Sequence, residues 1–421
     1  MKYQDWQLMS KEEKLVPELR FPEFENDGEW EIKPISKVFT SFSGGTPNTS
    51  EKDFYGGGIP FIRSAEINKD KTELFLTESG LANSAAKLVN KGDLLVALYG
   101  ANSGDVAISK IDGAINQAIL CLKSEYSNLF TSHFLSLKKD SITSKYIQGG
   151  QGNLSGDIVK SIEVLFPKKD EQKKIASCLS SLDELLAAHL DKLETLKDHK
   201  KGLMQNLFPG DGEIVPKHRF SEFENKGAWQ KVAIGYITQV TSGGTPESIN
   251  PNYWKGDIPW MNSGELNNKR IFSVSNFITR EGLENSSTKL IPPECVLIGL
   301  AGQGKTRGTA AINYFQLCTN QSIAAIHPNK KKFVSEFLYQ VVDSMYEKLR
   351  SLSTGDGGRG GLNLAIIKSI ELLLPTLGEQ KKIASCLYAL DELITTQTDK
   401  IKQLQLHKKG LMQGLFPKVN G

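Results

Sequence analysis

The sequence predicts an α+β protein: two pseudo-two-fold-related α/β domains separated by two long antiparallel coiled-coil helices. Three features predict it. A segment from the middle of the chain recurs almost unchanged near its end, apolar residues run through both copies at heptad spacing, and short β-rich runs punctuated by glycine precede each copy.

The repeat sets the plan. "EQKKIASCLSSLDELLAAHLDKLETLKDHKKGLMQNLFP" (Glu171 to Pro209) aligns without a gap with "EQKKIASCLYALDELITTQTDKIKQLQLHKKGLMQGLFP" (Glu379 to Pro417), and roughly two-thirds of positions are identical. The preceding segments correspond more loosely. "SGGTP" stands at Ser43 and again at Ser242, "IPFIRSAEIN" (Ile59 to Asn68) answers "IPWMNSGELN" (Ile258 to Asn267), and "NQAI" at Asn116 answers "NQSI" at Asn320. The chain therefore partitions into variable domains at residues 1–168 and 211–376 and helices at 169–210 and 377–421. Joining the C-terminal "LMQGLFPKVNG" to the N-terminal "KLVPELRFPEFE" would rebuild the internal junction "LMQNLFPGDGEIVPKHRFSEFE". A near-circular path with the termini close together is the simplest physical explanation.

Each variable domain mixes β-rich runs, such as "GDLLVALYG" (Gly92 to Gly100) and "ECVLIGLAG" (Glu294 to Gly302), with a helical patch near its end. One stretch, "GLAGQGKT" (Gly299 to Thr306), fits the phosphate-cradling pattern G-x-x-x-x-G-K-[ST]. That loop needs a helix after it, because the helix N-terminus helps hold the phosphates. Here "RGTAAINYF" follows, with an immediate glycine and strand-like residues, and the equivalent "ALYGANSGDVAI" (Ala97 to Ile108) lacks the lysine. The stretch reads instead as a strand–loop–strand hairpin tip from which Lys305 and Arg307 protrude. Basic residues there suit contact with phosphate or guanine; an ordinary solvated loop is the bland alternative.

"SGGTP" reads as an architectural glycine turn whose exit the proline fixes. Glu66 and Glu265 have the chemistry to accept from a cytosine amino group, but their repetition suggests scaffold. Domains that read different bases should differ at the reading residues. The candidate DNA contacts are therefore divergent positions: Arg63 against Asn262, Asn102 and Ser103 against Lys305, and Gln151 against Arg359, with Arg307 beside Lys305.

In the first helix Ile175, Leu179, Leu182, Leu186, His189, Leu193, Leu196, Lys200, Leu203 and Leu207 step alternately by four and three, the seam of a coiled coil. The second copy runs Ile383, Leu387, Leu390, Ile394, Gln397, Ile401, Leu404, Lys408, Leu411, Leu415, with polar breaks at equivalent places. Two equal helices related by a two-fold across their length must pair antiparallel, and each spans roughly 50 Å. Ala176, Cys178, Leu185, Leu190, Ala384, Cys386 and Leu393 widen the apolar stripe beyond the seam. They pack either on the chain's own domains or against helices of a partner.

Composition sets outer bounds. The chain has 421 residues, 39% apolar and 24% charged, with a net charge of +3 that permits a nucleic-acid partner without arguing for one. No run has the length of a membrane span, and the N-terminus lacks the apolar core of a signal peptide. Five cysteines without a C-x-x-C pair suggest reduced thiols in a cytoplasm, and no His/Cys cluster has zinc spacing.

With two variable domains and two near-identical heptad helices, the chain resembles the specificity subunit of type I restriction–modification systems over essentially its whole length. The markers are the "EQKKIA" helix openings, the "KKGLMQ-LFP" endings, the "SGGTP" turns and the circular repeat. The resemblance implies that each variable domain is a target recognition domain reading one half of a split, asymmetric site in double-stranded DNA. It implies that the helices set the gap between half-sites and dock two methyltransferase subunits, to which restriction subunits add. It further implies a subunit that performs no chemistry and needs no cofactor. A helix of about 50 Å corresponds to roughly one to one and a half turns of B-DNA. Two rival classes are an enzyme using Lys305 in a nucleotide site and a two-domain protein-binding scaffold without DNA readout.

Overall fold

The computed structural model describes residues 15–146, 153–302, 304–352 and 361–418. It has two compact units, residues 1–190 with 399–421, and residues 191–398.

In the first unit, strands Thr40–Ser43, Ile119–Lys123, Leu94–Ala97 and Val106–Ile108 form one antiparallel sheet in that order. A second sheet runs Leu74–Leu76, Tyr55–Ile62, Gly113–Ile115, Lys87–Val89, with Tyr55–Ile62 parallel to Gly113–Ile115. A two-stranded ribbon pairs Glu31–Pro34 with Glu163–Phe166. The second unit repeats this plan on strands such as Val296–Gly299, Ala310–Asn313 and Trp254–Met261, and adds an edge strand, Arg270–Ile271, to its first sheet. The buried runs Leu94–Ala97 and Val296–Gly299 are apolar at every position because both of their faces are covered.

The "SGGTP" turns show why glycine recurs. A Cβ on Gly44 would lie 1.8 Å from the carbonyl oxygen of Ile115, and one on Gly243 equally close to that of Thr319. No side chain fits there, so the architectural reading of the first glycine holds in both units.

The long helices span Lys169–Leu207 and Leu377–Leu415 and end two residues before Pro209 and Pro417. The residue before a proline disfavours the α region, which explains the stop. Every seam position named above is buried or half-buried, while most of the residues between them are exposed. Within the second unit, Lys200 pairs with Asp391 at 2.6 Å, and Leu203, Met204 and Phe208 pack in a core containing Leu387, Ala384 and Ile383. One segment ascends as the other descends, so the two run antiparallel. Within the first unit Lys408 pairs with Asp183, and Leu411, Met412 and Leu415 share a core with Leu179, Ala176 and Ile175. The lysines that break each seam are thus neutralised across it.

The repeated helix openings also have a physical role. Glu171 receives Arg20 in a bidentate pair at 2.8 and 2.7 Å, and Glu379 receives Arg219 at 2.8 and 2.5 Å. The amides of Gln172 and Gln380 donate to the carbonyls of Pro167 and Pro375 and accept from the backbone N–H of Ser127 and Val334. The "EQ" dipeptide therefore clamps each helix start to the domain before it.

The "LFP" endings plug into aromatic clusters. Phe416 packs with Trp30, Phe130 and Phe134 in the first unit, and Phe208 with Trp229 and Phe337 in the second. The backbone N–H of His218 donates to Asn206 across the continuous junction at 3.0 Å. At the equivalent place in the first unit Leu19 donates to Gly414 at 2.8 Å, and Lys418 pairs with Glu18. The segments around Leu19 and Gly414 come together there, as the tail-to-head repeat anticipates.

In the second unit the edge strand delivers Arg270 to the second helix. Its guanidinium meets both oxygens of Glu336 at 2.6 and 2.7 Å and Asp391 at 2.9 Å, and lies 4.4 Å over the ring of Tyr388. Burial works against this cation, but Glu336 and Asp391 outweigh it and raise its pKa further. In the first unit His133, which the repeat aligns with Glu336, faces Asp183 and Ser180. Burial and the nearby Lys408 drop its pKa to about 4, so the imidazole is neutral at physiological pH.

Candidate nucleic-acid interface

Four short segments meet at one edge of each unit, and the sheets place them there. Strand Tyr55–Ile62 lies parallel to Gly113–Ile115, so Arg63 and Asn116 leave the sheet side by side. The hydroxyl of Thr46 reaches Gln117, and Leu98 donates its N–H to the carbonyl of Ala118, which brings in the "SGGTP" turn and the hairpin tip. In the second unit Asn320 donates to Met261, Thr245 reaches Gln321, and Leu300 donates to Ser322.

The tip itself is a hairpin. Strands Val296–Gly299 and Ala310–Asn313 pair antiparallel, and Gly308 closes the loop by donating to Gly299 at 2.9 Å. No helix follows, so the phosphate-loop pattern is coincidental. Gly302, Gly304 and Gly308 all adopt positive φ, which accounts for the glycines without a nucleotide. Lys305 is exposed and Arg307 half-buried on this tip, whose Gly304 carbonyl is held by Arg350 at 2.6 Å. The equivalent turn carries Asn102, half-buried. Ser103 requires a correction: it is buried, donating to the Leu98 carbonyl and accepting from the Leu154 N–H, so it braces the loop and is not presented to a ligand. Gln151 and Arg359 lie outside the described residues.

Arg63 and Asn262 occupy the same structural position, capping the short turns Ser64–Glu66 and Ser263–Asn268. In each, the glutamate three residues on accepts from the cap's own N–H, Glu66 at 3.2 Å and Glu265 at 3.1 Å. The scaffold reading of these glutamates agrees with that geometry. Burial pushes the Glu66 carboxyl up, but the Arg63 guanidinium and the N–H groups of Glu73 and Arg63 outweigh it and hold it at about 2. Arg63 is additionally tied to Glu73, which leaves it half-exposed with its fork already engaged.

A depressed carboxylate stabilises the fold above its unfolded value of 4.5 and ceases to do so as the pH falls toward 2. Glu66→Gln is therefore expected to destabilise the chain by about 1–3 kcal/mol at neutral pH. Thermal midpoints of variant and wild type should converge as the pH is lowered from 4.5 to 2. A constant gap across that range would refute the assignment.

On the helices, Ala176 and Ala384 are buried in the chain's own cores. Cys178 and Cys386 are half-buried, while Leu185, Leu190 and Leu393 are 42%, 48% and 53% exposed. The widened stripe therefore divides: the alanines are covered by the chain's own cores and the leucines are left uncovered. Sequence reasoning passed over the exposed pairs Thr46–Gln117 and Thr245–Gln321, although both lie in motifs whose recurrence is visible. Among the described residues no helix is long and apolar enough to cross a membrane, and no group of three or more His, Cys, Asp or Glu is placed to hold a metal.

A family model described as the type I restriction modification DNA specificity domain matches residues 27–198 and again 226–406. The chain is 26% identical over 408 residues to the putative type I restriction enzyme MjaX specificity subunit of Methanocaldococcus jannaschii, covering 92% of this chain and 93% of that one. Among solved structures, the S subunit of a type I restriction–modification system from M. genitalium superposes with a TM-score of 0.66 at 16% identity, covering 96% of this chain and all of the other. A chain from a structure of complex assembly and conformational transition of the type I system gives 0.52 at 14% identity, with 92% and 97% covered.

Proposed function

Because the chain belongs to the family of type I restriction–modification DNA specificity subunits, we propose that it directs its complex to a bipartite, asymmetric site in double-stranded DNA. Each unit reads one half-site with the edge just described. The role of DNA specificity within a restriction–modification complex follows from family membership; the division of labour is our reading. The observation that carries it is duplication with divergence: the family domain occurs twice in one chain. The two copies keep their scaffold while differing at Arg63 and Asn262 and at the hairpin tips. Two unlike reading edges call for two unlike half-sites.

The paired helices set the half-site gap and dock two methyltransferase subunits through Leu185, Leu190 and Leu393, beside Cys178 and Cys386. Restriction subunits add to that assembly in the cytoplasm. The chain itself performs no catalysis in this reading: the one nucleotide-like motif is a hairpin tip. Mapping methylated bases across the host genome with and without the gene tests the proposal. A split asymmetric motif should lose its methylation on deletion; identical maps from a host whose methyltransferase is active would overturn it.

A further inference from the structure

We infer that Thr46–Gln117 and Thr245–Gln321 are matched clamps for the sugar–phosphate backbone of DNA, one in each unit; the inference rests on the DNA-reading function proposed above. In both units the threonine hydroxyl donates to the glutamine side-chain oxygen at 2.6 Å. All four residues are exposed. An amide has one acceptor oxygen and two N–H donors. The threonine occupies the oxygen and fixes the amide plane, and no hydrogen bond from either glutamine's N–H groups is found within the described residues.

The turns that carry these side chains are rigid without them. Gly44 and Gly243 sit where no Cβ fits, and Asn116 and Asn320 hold the next turn by accepting from the N–H of Ala118 and Ser322. A hydrogen bond between exposed side chains adds about 1 kcal/mol at most. Bracing the turn is therefore a weak reason to keep the pair twice, in domains that have diverged around it. A pre-oriented pair of donors on a rigid turn is what an anionic oxygen needs.

The repetition decides what is contacted. A side chain kept identical in two domains that read different half-sites cannot discriminate between them. It must touch what both half-sites share, which is the backbone. Discrimination falls instead to positions that differ between the units, such as Arg63 against Asn262 and the hairpin tips.

The experiment uses the full chain assembled with its methyltransferase subunits. Binding is measured to a duplex carrying the mapped motif and to the same duplex with both half-sites scrambled. Gln117→Ala and Gln321→Ala should each weaken both duplexes by about ten-fold, leave their ratio unchanged and leave the salt slope unchanged, since no charge is removed. Gln117→Glu keeps the acceptor for Thr46 but replaces the donors with a negative charge, and should weaken binding more than alanine does. Unchanged affinity in all variants would reduce the pair to a turn brace and overturn the inference. Loss confined to the motif duplex, with relaxed choice at one base, would overturn it in favour of base readout. A wild-type complex that does not distinguish the duplexes would instead overturn the function on which the inference rests.

Discussion

Replacing Arg270 with alanine is expected to destabilise the second unit by about 3–5 kcal/mol, because it leaves the largely buried Glu336 carboxylate without its cation. The Arg270 side chain is 9% exposed and satisfies Glu336 through two hydrogen bonds and Asp391 through a third. Lys200 and Gln340 also bind Asp391, at 2.6 and 2.7 Å, so that carboxylate keeps two partners when the arginine goes. Among the described residues Glu336 keeps only the Tyr314 hydroxyl and a long contact from Gln340 at 3.3 Å. The loss therefore falls mainly on Glu336, and Arg270→Ala combined with Glu336→Leu should recover part of it. For a unit of this size the single variant corresponds to a fall in melting temperature of roughly 6–20 °C by calorimetry. As a control, alanine at Lys33, whose pair with Glu31 is exposed, should change stability by less than about 0.5 kcal/mol. A fall in Tm of less than about 2 °C for Arg270→Ala would refute the buried-network account.

The second large effect concerns sequence choice. Exchanging residues 1–168 for the equivalent region of another family member should replace one half of the methylated motif and leave the other half and the gap unchanged. The units support this because each has its own sheets and its own core. The incoming region must keep aromatic residues at Trp30, Phe130 and Phe134, which close around Phe416, and an arginine at Arg20 for Glu171. An exchange that ignores them tests folding before specificity. The readout is the genome-wide methylation map of a host carrying the hybrid. If both half-sites changed, the units would not read independently.

The fold was largely legible because it is written as repetition and period. The heptad steps place Ile175 through Leu207 on one face, and the hairpin reading of Gly299 to Thr306 rested on the strand-like residues after it. The candidate site was less legible. Ser103 was chosen as a divergent position, yet divergence does not report direction, and its hydroxyl turns inward to Leu98 and Leu154. Thr46 and Gln117 were visible as members of repeated motifs, but nothing local shows that residues 71 positions apart share a hydrogen bond.

The sequence by itself determined the duplication, the two helices and their seams, the tail-to-head closure and the absence of a phosphate loop. Each is a property of residue order, of spacing along the chain or of the comparison of two copies. The tertiary structure alone decided which charges meet: Lys200 with Asp391, Arg270 with Glu336, Arg20 with Glu171. It also decided which polar side chains stay outside. These contacts join residues that are distant in sequence but brought within 3 Å by packing, and an isolated lysine or glutamine carries no mark of the partner that folding will give it.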